Sequence, residues 1–283
     1  SECNPELFHA LSRSILDTRP ESFEAHNISV IMNAFAKCRV RKLPLIHLLA
    51  GYLESRVSEL SPQNVSNVAH ACAKLEVYNH QLFFQLQSRV TSEDLSKYKR
   101  FELTMLTHGL AKLRCGGPKL YSALFGALAV HAEWDPLDTA QALDALRRKR
   151  DHYHDGLATL LVEQFVGGLS EFPVYALMQS AWCLIELDAL DLADRLPSGR
   201  IHLEGDETAS RCLMRLVLER LKDSHGGTPF TPTERKHAQQ LVRTYRQKHE
   251  VDFNLQAHEV KAFCRSLFDV PTSVVSSAVR LRA

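Results

Sequence analysis

Apolar residues return along this chain every three to four positions, and the whole pattern returns about 37 residues later. In Asn64–Leu75, the residues Val65, Val68, Cys72 and Leu75 fall at i, i+3, i+7 and i+10, one face of an α-helix. Ile28, Ile31, Phe35 and Cys38 hold the same places in Asn27–Cys38, and Leu103, Leu106, Leu110 and Leu113 hold them in Glu102–Leu113. An Ala-Lys pair marks each segment, at Ala36-Lys37, Ala73-Lys74 and Ala111-Lys112, in steps of 37 and 38 residues. A further step of 37 reaches Lys149, after the helical pattern AQALDALRR, and 74 beyond Leu113 lies Leu187, at the end of VYALMQSAWCLIEL.

A second helix follows each first one. Leu45, Leu82, Leu120 and Leu157 form one column, and Leu49, Leu86, Leu124 and Leu161 form another four residues on, both with the same period. Punctuation agrees with the pairing. Ser61 before Pro62 is a helix start, and CGGP at Cys115–Pro118 is a break between paired helices. One hairpin cannot bury both its faces, so successive hairpins must stack. The sequence therefore predicts an all-α fold, an α-solenoid of helix-hairpin repeats with a period of about 37 residues.

Residues 1–22 read as the end of a truncated repeat and 23–194 as the hairpin repeats. Residues 195–210, rich in Pro, Gly and acids, read as a loop insertion, and 211–283 as a degenerate last repeat or helical cap. In that last part the pattern predicts helices near 211–222, 233–248 and 255–268.

Composition adds limits. Hydrophobic residues are 45% and charged residues 24%, the balance of a globular chain, and the near-apolar run Ala123–Ala132 is far short of a membrane span. The net charge is +1, so any nucleic-acid role must come from local rows of cations. Seven widely spaced cysteines without a CxxC suggest a reducing compartment, with Cys used mostly as a small core residue. The chain starts at Ser1 without an initiator Met, which suggests sequence upstream, either a cleaved targeting segment or a further part of the protein.

The string SPQNVSNVAHACAKLEVYNHQLFFQL (Ser61–Leu86) resembles the octotricopeptide and heptatricopeptide repeats, which also occur in FAST-kinase-like, RAP-domain organellar proteins. The likeness is fair at Asn27–Leu49 and Phe101–Leu124 and weak beyond. It implies an α-solenoid acting on RNA in mitochondria or chloroplasts. No segment resembles the C-terminal RAP module, so the resemblance carries no nuclease role.

Two columns are candidates for RNA contact. The Lys column is Lys37, Lys74, Lys112 and Lys149, continued by Glu186. Four residues earlier stand Asn33, His70, His108, Ala145 and Trp182, on the same helix faces. A row of Lys can follow a phosphate backbone, and Asn, His and Trp can hydrogen-bond to bases or stack on them. A Lys near a helix C-terminus also complements the macrodipole, so the column has a purely structural reading too. The run Arg147, Arg148, Lys149 and Arg150 is the densest basic cluster. Aligned by steps of 37, it places Arg147 and Arg150 where Leu110 and Leu113 stand, as though core positions had been given up for phosphate contacts; a solvated helix end is the alternative.

His152 and His154 are two apart and cannot share a helix face, and no phosphate loop, GxSxG or HExxH occurs. The expectation is a non-enzyme with no cofactor or metal. The leading reading is a structural subunit of a mitochondrial ribosome in the matrix, contacting ribosomal RNA and neighbouring ribosomal proteins but no membrane, with a plastid as the alternative site. A protein-scaffolding solenoid, a free RNA processing or stability factor, and the repeat arm of an enzyme whose catalytic domain lies elsewhere remain as alternatives.

Overall fold

The computed structural model describes residues 3–18, 22–196, 208–225, 230–249, 262–264 and 266–267. Among them every regular element is helical, and no helix is long and apolar enough to cross a membrane. The helices are α1 (Pro5–Asp17), α2 (Ala25–Lys37), α3 (Leu43–Leu53), α4 (Pro62–Leu75), α5 (His80–Ser92), α6 (Arg100–Lys112), α7 (Pro118–Ala129), α8 (Pro136–Arg148), α9 (Asp155–Gly167), α10 (Val174–Glu186), α11 (Ala209–His225) and α12 (Pro232–His249). The predicted all-α solenoid is the fold. The chain forms two compact units, Ser1–Leu161 and Val162–Ala283.

In the first unit the A helices α2, α4, α6 and α8 pack each on the next, and the B helices α1, α3, α5 and α7 do the same. Both predicted Leu columns of the B helices are buried throughout, from Leu45 and Leu49 to Leu157 and Leu161. On the A helices Ile28, Val65 and Leu103 are buried, as are Phe35, Cys72 and Leu110. Ile31 is only half-buried, and Met32 fills the core instead, because α2 has an A helix on one side only.

Local chemistry sets the helix ends. Ser61 caps α4 in a capping box with Asn64, whose amide also donates to Ser29 Oγ at 2.8 Å and so ties α4 to α2. After α2, α4, α6 and α10 the chain turns through a left-handed residue, at Arg39, Glu76, Arg114 and Asp188. The next N–H then bonds back across the last turn, as in Val40 N to Phe35 O at 3.0 Å and Cys115 N to Leu110 O at 2.9 Å. The predicted break at CGGP is such a turn: Gly116 has φ +84°, and a Cβ there would meet Leu120 Cδ2 at 2.5 Å. Helix α8 alone of the first five A helices lacks this cap and runs into a 3-10 turn at Arg150–His152.

Gly109 marks a close approach of α4 and α6. A Cβ at that position would lie 2.9 Å from the backbone C and O of Ala69. From α6 to α8, Arg100 bridges to Asp135 at 2.8 Å and to Asp138 at 2.9 Å.

In the second unit α10 packs against α11 and α12. Helices α11 and α12 cover the predicted stretches 211–222 and 233–248. Of the loop expected at 195–210, 197–207 lie outside the described residues, Arg195 ends a 3-10 helix and Ala209 and Ser210 begin α11; of the last predicted helix, 255–268, the described residues 262–264 and 266–267 are helical. Two cysteines depart from the expected core role: Cys3 and Cys38 form a disulfide with Cα atoms 5.6 Å apart, tying the segment before α1 to the end of α2. Cys72, Cys115, Cys183, Cys212 and Cys264 are buried thiols outside any disulfide.

Candidate nucleic-acid interface

The A helices begin at Ala25, Pro62, Arg100, Pro136 and Val174, so the steps are 37, 38, 36 and 38 residues. The short third step corrects the register read from the sequence. Leu146, not Arg147, stands where Leu110 stands, and it is fully buried. Of the two places read as given up, that of Leu110 stays apolar, and that of Leu113 falls to Lys149 rather than to Arg150. The place read as Ala145 belongs to Asp144, and the place read as Lys149 belongs to Arg148.

Each A helix turns one stripe outward, at its second, sixth, ninth and thirteenth residues, spaced to share a face, and of these places only the ninth on α8, Asp144, is buried. On α2 it is His26, Val30, Asn33 and Lys37; on α4, Gln63, Asn67, His70 and Lys74. On α6 it is Phe101, Met105, His108 and Lys112; on α8, Leu137, Gln141, Asp144 and Arg148. The thirteenth place carries a cation in all four helices. Several apolar groups exposed on this protein lie on the stripe, among them Val30, Phe101 and Leu137. The structure thus brings Asn33, His70 and His108 into one row beside Lys37, Lys74 and Lys112. Trp182 and Glu186 hold the ninth and thirteenth places of α10, in the second unit.

The cations differ in how they are held. Lys37, Lys74 and Lys112 make no ion pair among the described residues, and Arg39 and Arg114, two residues beyond the column, make none either. Their field is felt locally. Burial, then the positive charge of His108, Lys74, Lys112 and Lys37, pushes the His70 imidazole down to about 4, and it is neutral at pH 7. The Lys74 ammonium is lowered by burial and by Arg39, Lys112 and Lys37.

On α8 the cations are occupied. Asp144 Oδ1 accepts from Arg147 Nη2 at 2.6 Å, and Asp144 Oδ2 accepts from Arg148 Nε at 2.7 Å. His108 Nε2 lies 3.0 Å from the same Oδ2. Burial alone would raise the Asp144 carboxyl, but the hydrogen bonds from His108, Arg148 and Arg147 hold it well below the usual carboxylate range. Lys149 sits outside the column, its Nζ 4.7 Å from the centre of the Tyr121 ring and 3.5 Å from Gly116 O. Arg150 is in the 3-10 turn that follows α8. The sequence run is therefore contiguous along the chain but divided in space.

Asp144 was missed by sequence reasoning. The signal was present, since placing Leu146 at the core place of Leu110 takes a step of 36, and that step aligns Asp144 with His108. Arg114 was missed because it lies in a turn beyond the helical pattern. The stripe also keeps unused hydrogen-bonding capacity: Asn33 Oδ1, His108 Nδ1 and Gln141 Oε1 are buried without a protein partner among the described residues.

A stripe with unpaired cations on α2, α4 and α6, alongside amides, imidazoles and an exposed ring, has the composition of a surface for a polyanion with flat bases. The profile of one family, the RNA-editing substrate-binding complex 6 protein, matches residues 3–191. The chain belongs to that family. The family is RNA-associated and helical, and the match covers residues 3–191, from α1 to α10. No curated protein matches the chain.

Proposed function

We propose that this protein is a non-catalytic RNA-binding subunit of an RNA-editing substrate-binding complex, and that it holds RNA on the uncovered stripe of α2, α4 and α6. The observation that carries the reading is the row Lys37, Lys74 and Lys112, cations without ion pairs at the same place on three stacked helices. Three like charges held side by side repel one another, a cost that a bound phosphate chain relieves. Membership of the family supports the setting, and the resemblance of Ser61–Leu86 to organellar RNA-binding repeats supports a mitochondrial location.

The test is RNA binding by fluorescence anisotropy over a range of salt concentrations. Each phosphate contact to a single strand contributes roughly 0.7 to the slope of log K against log salt. The triple variant Lys37→Gln, Lys74→Gln, Lys112→Gln should lower that slope by about 2 and weaken binding at low salt. An unchanged slope would overturn the RNA reading of the stripe.

The ribosomal-subunit reading rests on the near-neutral net charge, which suits a protein with both protein and RNA faces. It differs from the editing-complex reading in the particle with which the protein travels, and the same stripe serves either.

A further inference from the structure

We infer that Asp144 ends the RNA track, so that the stripe takes a short single-stranded segment across α2, α4 and α6 and is closed at α8. The inference rests on the RNA reading of the stripe and adds its substrate class and its boundary.

Arg148 occupies the place on α8 that Lys112 occupies on α6, and Arg147 is its neighbour. By position alone, α8 would supply the next phosphate contact and the richest one. Asp144 prevents it. Its side chain is only 5% exposed and accepts from both guanidiniums at 2.6 and 2.7 Å. A phosphate could still reach the outer Nη donors of Arg148, but the charge of both guanidiniums is already balanced in part by a buried carboxylate, so such a contact gains less than one to an unpaired Lys. The Asp144 charge also stands in the ninth place, where the preceding helices present Asn33, His70 and His108. An approaching chain therefore finds, in place of those hydrogen-bonding groups, a carboxylate already committed to two guanidiniums.

The single-strand class follows from what lies between the cations. The ninth place offers an amide and two imidazoles, and the second and sixth places of α6 offer Phe101 and Met105. Such groups are of use to unpaired bases, which have free edges to hydrogen-bond and faces to stack. A duplex presents its phosphates outward and would leave these groups unused.

The test uses the full chain, oligouridylates of graded length and a duplex of matched length, with anisotropy read against salt. Asp144→Asn, which keeps the shape and removes the charge, should steepen the slope by roughly 0.7 to 1.4, one or two added phosphates, and extend the length at which affinity levels off. Adding Arg147→Gln and Arg148→Gln should abolish that gain. If Asp144→Asn stays folded by circular dichroism and its slope is unchanged or shallower, the boundary is wrong. Tighter binding of the duplex would overturn the single-strand class. Hydrogen exchange of the unaltered protein with bound oligouridylate gives a second measurement free of mutation. The C-terminal turns of α2, α4 and α6 should gain protection while 144–150 does not, and protection of 144–150 would overturn the boundary. A triple lysine variant with an unchanged slope would instead remove the RNA reading itself.

Discussion

At the scale of the residue, position within the stripe decides whether a cation is available. Lys112 and Arg148 are equivalent by register, yet one is unpaired and the other is bound to a carboxylate 5% exposed. His70 reports the field of the row. Because burial and the neighbouring cations lower its imidazole to about 4, the folded state binds its proton less readily than the unfolded chain does, for which about 6.5 applies. That stabilising contribution is complete above about 6.5 and is lost as pH falls toward 4. An NMR titration should find the His70 ring neutral down to about pH 5, and Lys74→Gln should move its midpoint upward by removing one of the named cations. A midpoint near 6.5 would show that the row exerts no such field. Bound phosphate should raise the same midpoint, so RNA affinity should grow on mild acidification.

At the scale of the element, the interlock of α4 and α6 depends on the lack of a side chain at Gly109. In an open helix Gly→Ala would stabilise by about 1 kcal/mol through propensity. Here the new Cβ would lie 2.9 Å from the Ala69 carbonyl carbon and oxygen, backbone atoms that cannot turn aside. Overpacking of that kind costs typically 1–3 kcal/mol. Gly109→Ala should therefore destabilise the first unit by a net of up to about 2 kcal/mol and lower its urea midpoint, and a raised midpoint would contradict the close packing. Because α4 and α6 carry His70, Lys74, His108 and Lys112, the spacing of the RNA-contact row depends on the same contact.

At the scale of the whole molecule, the repeats are alike in frame and unlike in surface. Four A helices share the same exposed places, but the occupants run from Asn and Lys on α2 to Asp and Arg on α8. Such irregularity suits a subunit fitted to fixed neighbours better than a reader of one repeated code. The setting can be tested by sedimentation of mitochondrial extracts at moderate and high salt. The editing-complex reading expects this protein to run with RNA-editing particles and apart from ribosomal particles. Persistent co-sedimentation with ribosomal RNA at high salt would favour the ribosomal reading instead.

The sequence by itself determined the helices, the hairpin period and most of the core. Those features rest on local regularities: apolar residues at helical spacing, the Ser61-Pro62 start and the Gly116 turn, each legible within a few residues. It also located Lys37, Lys74 and Lys112, whose Ala-Lys pairs keep step with the core. It misplaced α8 by one residue, because a period averaged over neighbouring repeats cannot register a single step of 36. Only the tertiary structure decided which cations are free. The partners of Asp144 come from its own helix and from His108, 36 residues away, and that pairing follows from how α6 packs on α8. No local pattern encodes it, since a charge is paired or unpaired according to what folding brings within hydrogen-bond reach.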